Sequence, residues 1–169
     1  NPHCIEIDQQ RYISHLQLID VAPARAKQAE EAATTEEHTD FRSSVGGIAW
    51  TVLSRQDVVG MLNSLQCALG KPSVQSLLDA NAVTQFLKDS NEVKLVINRI
   101  PPPTRIITVS DASPFTLPQS NTQGAWSILL ATDRPDKKLG GKVQSLVTTA
   151  KKLRRVCKSS FGGELLTGV

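Results

Sequence analysis

The chain has 169 residues, 40% of them apolar, and a formal net charge of +3. That length suits one ordinary domain, or a compact unit with a preceding segment, and that apolar share is enough to build a core. There is no run of about eighteen apolar residues, so the sequence excludes a membrane-spanning helix, and the N-terminus has no basic and then apolar signal-peptide pattern.

The cysteines and histidines are too scattered to indicate a metal site. Cys4, Cys67 and Cys157 show neither the paired spacing of zinc ligands nor that of a disulfide framework. Unpaired thiols are typical of a reducing compartment, so we expect an intracellular protein.

Charge is distributed unevenly along the chain. The first forty residues carry eight acidic and three basic side chains, whereas residues 137–158 carry eight lysines and arginines and no acid. A basic block of this kind can neutralise phosphates and attract nucleic acid, although a solvated charged face has the same composition. The candidate nucleic-acid-binding residues are Lys142, Lys151, Lys152, Arg154, Arg155 and Lys158.

The first forty residues predict a strand, a helix and a polar segment. Ile5 and Ile7 alternate with polar residues as in a short edge strand, and Asp8 is a plausible N-cap. A helix of about three turns is predicted by apolar residues at helical spacing, Tyr12, Ile13, Leu16 and Ile19. Residues 22–40 have no large apolar side chain, which predicts a solvated helix or a linker and no core.

Residues 41–103 predict a helical segment. The adjacent Gly46 and Gly47 permit close backbone packing, and we expect Trp50 in the core. The clearest helix has apolar residues at offsets of four, seven and eleven, Val58, Leu62, Leu65 and Leu69. Residues 70–72, Gly-Lys-Pro, end it.

Ser73 is predicted to cap the next helix, which should pack antiparallel to the preceding one because the turn is short. The predicted apolar face of this helix comprises Val74, Leu77, Leu78, Ala82 and Phe86. Residues 93–97 predict a strand, and three prolines at 101–103 form a spacer at which we expect a domain boundary.

Residues 104–169 predict three strands and a helix. The first strand, from Arg105, ends on Asp111, after which a turn is expected through Ser113, Pro114 and Pro118. The second and third strands are predicted at 124–132 and 143–149, leading into the basic run at 151–158. Ser159 or Ser160 would cap a helix with Glu164 in its first turn. The chain therefore divides into segments 1–40, 41–103 and 104–169.

Several motifs of this sequence, in this order and spacing, resemble the copia-type retrotransposon Pol polyprotein, where the end of reverse transcriptase runs through a connection region into ribonuclease H. Residues 41–47, FRSSVGG, resemble its YRSLVGS block, and residues 54–58, SRQDV, its TRPDI block. Residues 110–113, SDAS, resemble SDAD or SDAS, and residues 159–164, SSFGGE, resemble SSxxAE. Weaker similarities lie at 5–13 and 82–88.

This resemblance implies a fold and an activity. The fold would be α+β: a helical connection segment, then a partial ribonuclease H-like mixed β-sheet with a C-terminal helix. The activity would be metal-dependent hydrolysis of RNA in RNA–DNA hybrids, in which carboxylates hold two divalent metals, here Mg²⁺. By the resemblance, Asp111 is the bridging metal ligand and Glu164 the second catalytic acid.

The sequence also departs from the family pattern. It has no acidic residue after Glu164, so the third metal-binding acid is missing, and Gly162 and Gly163 disfavour the helix that would carry Glu164. The polymerase Asp-Asp motif is missing too. We therefore expect an inactive remnant or fragment that needs a protein partner or a C-terminal extension to cover its incomplete sheet.

One other interpretation stays open. The chain could be a non-catalytic nucleic-acid-binding or structural subunit of a larger ribonucleoprotein assembly, with the basic run contacting RNA phosphates. In that case Asp111 is an ordinary turn residue and Glu164 a first-turn helix acid favoured by the helix dipole.

Overall fold

The computed structural model describes residues 4–117, 121–133 and 142–153, without the side chains of residues 114–116. The described residues form an α+β fold with two antiparallel sheets. The helices are α1 Gln10–His15, α2 Pro23–Ala26, α3 Thr35–Thr51, α4 Val59–Ala68 and α5 Val74–Asp89. The strands are β1 Cys4–Ile7, β2 Leu95–Asn98, β3 Thr104–Leu117, β4 Asn121–Thr132 and β5 Val143–Lys152.

These elements belong to two compact units. The helical unit is Asp8–Lys94, and the sheet unit combines Cys4–Ile7 with the described residues from Leu95 onward. The change of unit at Leu95 precedes the predicted boundary near residue 103, because β2 pairs with β1 and so belongs with the strands. No helix in the described part of the chain is long and apolar enough to cross a membrane.

The helical unit is built around one apolar cluster. On α3, Phe41, Val45 and Ile48 recur at helical spacing and are buried, so one face of this helix packs inward. Helices α4 and α5 and the residues around α1 supply the rest of the cluster, which comprises Ile13, Ile19, Phe41, Val45, Ile48, Val58, Leu62, Leu65, Leu77, Ala80, Val83 and Leu87.

The first helix is shorter than predicted. It ends at His15, and Leu16 is extended with ψ of 135°. The backbone of Ile19 instead bonds the side chain of Asn81 on α5: the Ile19 N–H donates to Asn81 Oδ1 and Asn81 Nδ2 donates to the Ile19 carbonyl, both at 2.8 Å. The three-turn helix prediction is wrong because Ile19 reaches the core from an extended segment, in which the side chain of Asn81 satisfies its backbone groups.

The polar segment after residue 22 contains no buried residue, as predicted, but hydrogen bonds anchor it. Arg25 donates to both carboxylate oxygens of Glu37, at 2.9 and 3.0 Å, and to Glu31 at 2.7 Å. The segment also accepts hydrogen bonds from the first amides of α5, since Val74 N–H donates to the Glu31 carbonyl at 2.9 Å. Hydrogen bonds therefore order this segment without any contribution from large apolar side chains.

The two strongest helix predictions are confirmed, with changes in which side chains are buried. Helix α4 occupies the predicted position, and Ser73 caps α5 through a capping box with Ser76. On α5, however, Phe86 is exposed and does not belong to the core as predicted. Ala80, Val83 and Leu87, which were not predicted, are buried.

The expected core position of Trp50 is wrong, since 65% of its surface is exposed. It follows the buried Ile48 by two residues, so it points about 200° around α3 from that side chain. The helix phase thus places Trp50 outside the core face.

The sheet unit contains two antiparallel sheets. Strands β1 and β2 form one, with Ile5 opposite Ile97, and β3, β4 and β5 pair in sequence order in the other. The three strands predicted after residue 104 are confirmed, but β3 continues through Asp111 to Leu117, so the turn expected at Ser113 and Pro114 is wrong. The remaining part of that prediction, at Pro118, lies outside the described residues. Pairing of Ala112 and Ser113 with β4 keeps the strand extended there. Every described strand pair is antiparallel, and the predicted helix carrying Glu164 lies outside the described residues.

Candidate functional site

Asp111 lies within β3, where its neighbours across the sheet are small. It pairs with Ala125 of β4, which in turn pairs with Ala150 of β5. Because directly opposite residues lie on the same face of a sheet, the carboxylate stands beside two methyl groups. The side chain of Asp111 is exposed, and its Oδ1 accepts a hydrogen bond from the Ala112 N–H at 2.8 Å. The carboxylate is therefore accessible on this face, named here the Asp111 face.

Hydroxyl groups continue the Asp111 face along the strands. Two residues before Asp111, Val109 lies opposite Ser127, which lies opposite Thr148. The Ser127 Oγ and Thr148 Oγ1 atoms are 2.9 Å apart, within hydrogen-bonding distance. Serine and threonine hydroxyls are common donors to phosphate oxygens, so this face combines a carboxylate with groups suited to a sugar–phosphate backbone.

The described residues do not by themselves make a magnesium site. Mg²⁺ requires several hard oxygen ligands, and in residues 4–117, 121–133 and 142–153 no group of three or more Asp, Glu, His or Cys side chains could hold a metal ion. The described part of the three-stranded sheet has only Asp111 and, at the end of β4, Asp133 as acidic residues. Glu164 lies outside the described residues, so the pairing of Asp111 with Glu164 stays a prediction.

Three of the predicted basic residues are placed, and all three are exposed. Lys142 precedes β5, and its carbonyl accepts a hydrogen bond from the Thr132 N–H at 3.1 Å. Lys151 and Lys152 end β5, and because successive residues of a strand point to opposite faces, Lys152 shares the Asp111 face. The other predicted basic residues, Arg154, Arg155 and Lys158, lie outside the described residues.

Lys151, on the opposite face, is held over an aromatic ring. Its Nζ atom lies 4.5 Å from the centroid of the Trp126 ring. Lys151 pairs with Gly124, two residues from Trp126 on the same face, and the missing side chain at Gly124 leaves room for the lysine to lean over the ring. The sequence indicated Trp126 only as a strand former, because the diagonal contact depends on the register of β4 with β5.

The SRQDV block that carries part of the family resemblance has a structural role in the helical unit. Arg55 is 1% exposed, and its Nε and Nη2 atoms donate to the two carboxylate oxygens of Asp57 at 3.0 and 2.8 Å. It also donates to the Ser90 carbonyl and hydroxyl, both at 2.9 Å. The hydrogen bonds from Arg55 lower the pKa of Asp57. This buried guanidinium therefore fastens the segment between α3 and α4 to the C-terminal end of α5.

The FRSSVGG block is likewise explained by packing. Phe41 and Val45 are core residues, and the Tyr12 hydroxyl donates to the Gly47 carbonyl at 3.0 Å. A Cβ atom at Gly47 would lie 3.0 Å from the Cδ2 atom of Leu16, closer than carbon atoms normally approach. Glycine at position 47 thus lets the segment after α1 lie directly against α3.

Comparison with protein-family models, curated proteins and solved structures finds no match to this chain. The copia-type resemblance therefore rests on the motifs and on the order of the elements that contain them.

Proposed function

We propose that the chain is a remnant or fragment of a copia-type retroelement polyprotein, and that β3, β4 and β5 begin a ribonuclease H-like domain. The observation that carries this proposal is the sheet itself: three consecutive long antiparallel strands, with an exposed aspartate within the first. The resemblance implies an aspartate on the first strand of such a domain, and Asp111 occupies that strand.

The activity that the resemblance implies for such a domain is hydrolysis of the RNA strand of RNA–DNA hybrids. When bound, magnesium would supply an activated water and stabilise the leaving oxygen. Asp111 and Glu164 would be its ligands from this chain. Two carboxylates are fewer than a two-metal site needs, so we propose that these 169 residues bind a hybrid without cleaving it.

The exposed lysines supply the binding energy in this proposal. Lys152 projects from the Asp111 face, and Lys142 and Lys151 add positive charge at the two ends of β5. Each lysine that neutralises a phosphate releases condensed counterions, which favours binding and makes it depend on salt.

The alternative is a non-catalytic nucleic-acid-binding or structural subunit of a larger ribonucleoprotein assembly. The contact of Lys151 with Trp126 favours it, because a basic side chain beside an aromatic ring suits nucleic acid and requires no metal. In this alternative Asp111 makes no contribution to binding.

Anisotropy of a fluorescently labelled RNA–DNA hybrid, titrated at rising salt, tests the binding. The double variant Lys151→Glu with Lys152→Glu is expected to bind on the order of tenfold or more weakly, with a shallower salt dependence. The matched control is Lys27→Glu with Lys71→Glu, which makes the same charge change at exposed positions of the helical unit. Equal weakening in both variants, or no binding by the parent chain at low salt, would refute the proposed surface.

Magnesium distinguishes the two functions. Under the ribonuclease H-like proposal, Mg²⁺ strengthens hybrid binding, Asp111→Asn removes that gain, and Asp133→Asn retains it. Under the alternative, Mg²⁺ gives no gain that depends on Asp111. Cleavage products on a denaturing gel, lost in Asp111→Asn, would show that the chain is an active nuclease and that binding without cleavage is wrong.

A further inference from the structure

A cavity of about 460 Å³ lies inside the helical unit, between the end of α1, the extended segment that follows it, and α3. Exposed side chains on its rim, including Asp20, Asp40 and Ser43, show that it opens to solvent. Its volume is in the range of sites for small molecules. All the described lining residues belong to the helical unit, whereas the proposed hybrid-binding residues belong to the sheet unit.

The walls of the cavity are held in place at both ends. At one end, two hydrogen bonds of 2.8 Å join the backbone of Ile19 to the side chain of Asn81. At the other end, Tyr12 bonds the Gly47 carbonyl, and Leu16 packs against Gly47. The space between the extended segment and α3 is therefore a fixed feature of the fold.

The α3 wall of the cavity is polar. Asp40, Ser43, Ser44 and Gly47 are spaced three, four and seven residues apart, so they share one helix face next to the buried apolar face. The Oγ atom of Ser44 is buried and has no hydrogen-bond partner among the described residues. An unsatisfied buried hydroxyl costs about 1–3 kcal/mol, and the described residues leave the hydroxyl of Ser44 unpaired at this wall.

The lining carries negative charge and several hydrogen-bond acceptors beside its apolar surface. Asp20 and Asp40 contribute carboxylates, and the lining residues include neither lysine nor arginine. The His15 Nδ1 atom lies 2.6 Å from the Arg11 carbonyl oxygen, a contact that requires the hydrogen on Nδ1. When the His15 ring is neutral, its Nε2 atom is therefore a further hydrogen-bond acceptor.

We propose that this cavity binds an organic cation, an ammonium or guanidinium group on a short aliphatic stem. The N–H groups of the cation would donate hydrogen bonds to the carboxylates and hydroxyls of the lining. Hydrogen bonds between charged groups are stronger than those between neutral groups. Leu16, Leu18 and Ile19 provide apolar surface for the stem. The same group occurs in free amines and in lysine or arginine side chains of a partner protein.

Titration of the full chain with butylguanidinium, followed by ¹H–¹⁵N NMR, tests the proposal. Saturable shifts of the Ser43, Ser44 and Gly47 amides are expected with a Kd of about 1 mM or below. Butylurea, which is neutral and similar in shape, is expected to bind at least about tenfold more weakly, as is butylguanidinium to Asp40→Asn. Glu36→Gln, an exposed acid on the same helix outside the cavity lining, is the control and retains binding.

The tripeptide acetyl-Ala-Arg-Ala-amide identifies the source of the cation. Tighter binding of the tripeptide than of butylguanidinium assigns the cavity to a partner's side chain, and the reverse assigns it to a free amine. Absence of saturable shifts with both probes would overturn the proposal, as would equal affinity for butylurea or equal affinity of the Asp40→Asn variant.

Discussion

The helical unit and the sheet unit differ in what they do with their apolar side chains. In the helical unit the core residues Phe41, Ile48, Leu77 and Leu87 are all fully buried. In the sheet unit Ile106 is 68% exposed, and Val109 and Leu146 are each 52% exposed. The helical unit thus completes a core from its own residues, although Trp50 and Leu53 are as exposed as Ile106, whereas the described sheet leaves apolar side chains exposed along β3 and β5.

The difference follows from the geometry of the elements. An amphipathic helix has one apolar stripe, so helices can enclose a core among themselves, but a sheet has two faces and needs another layer. Ile106 and Ile107 are adjacent in β3 and therefore point to opposite faces. A strand that is apolar on both faces is typical of a sheet covered on both sides. We therefore expect a partner protein or a further segment of chain to contact the sheet.

Two isoleucine-to-alanine substitutions, one in each unit, test this comparison. They are expected to show the largest difference in the free energy of unfolding. Ile48→Ala, at a fully buried site on α3, is expected to lower the free energy of unfolding by about 2–5 kcal/mol. Ile106→Ala, at an exposed site on β3, is expected to change it by less than about 0.5 kcal/mol. Urea denaturation followed by circular dichroism measures both. A cost at Ile106 as large as that at Ile48 would show that the sheet face is already covered in the isolated chain.

Replacement of Arg55 tests how much its polar contacts contribute to the stability of the helical unit. Arg55→Ala removes the paired hydrogen bonds to Asp57 and those to Ser90, and we expect a loss of about 2–4 kcal/mol in the free energy of unfolding. Arg55→Lys keeps the charge but not the paired geometry, and should recover only part of that loss. Full stability of the lysine variant in urea would contradict a role for the planar guanidinium.

The smallest expected effect is a pH dependence confined to the helical unit. Hydrogen bonds from Arg25 and the Thr34 backbone lower the pKa of Glu37 from its ordinary value of 4.5 to about 2. Because the folded state holds this carboxylate ionised, its stabilising contribution is present above about pH 4.5 and is lost as the pH falls through about 2.

Glu37→Gln is therefore expected to lower stability at pH 7 and to flatten its dependence between pH 4.5 and 2, as measured by thermal unfolding at each pH. Glu36→Gln, at the exposed neighbouring position, serves as the control and should keep the parent profile. A Glu37→Gln profile that parallels that of the parent chain would contradict the role of this ion pair.

The sequence predicted the elements that have a strong local signal. The leucine spacing and Ser73 located α4 and α5, the alternation of apolar residues located β1, and runs of strand-forming residues located the three strands after residue 104. It failed where a distant side chain decides the outcome. Asn81 holds the segment around Ile19 extended despite its helical spacing. Composition correctly predicted that residues 22–40 hold no buried side chain, but it gave no sign of the hydrogen bonds by which Arg25 anchors them.

In the candidate site too, the sequence predicted which residues are involved but not the contacts that depend on distant parts of the chain. The motifs selected Asp111, and the uneven charge distribution selected the basic residues. The sequence placed Asp111 before a turn, whereas pairing with β4 keeps it within a continuous strand. The contact of Lys151 with Trp126 and the cavity beside α3 have no local signal, because each depends on elements that meet only in the folded chain.

Periodicity and capping are local properties, so the amino-acid sequence was enough to locate α4, α5 and the strands and to supply the residue types available for chemistry. The tertiary structure decided which of those residues meet. Strand register gave Asp111 its small neighbours and put Lys152 on the same face, because a shift of one residue would exchange the faces. Helix phase decided that Ile48 is buried and Trp50 exposed, since two residues along a helix point in nearly opposite directions.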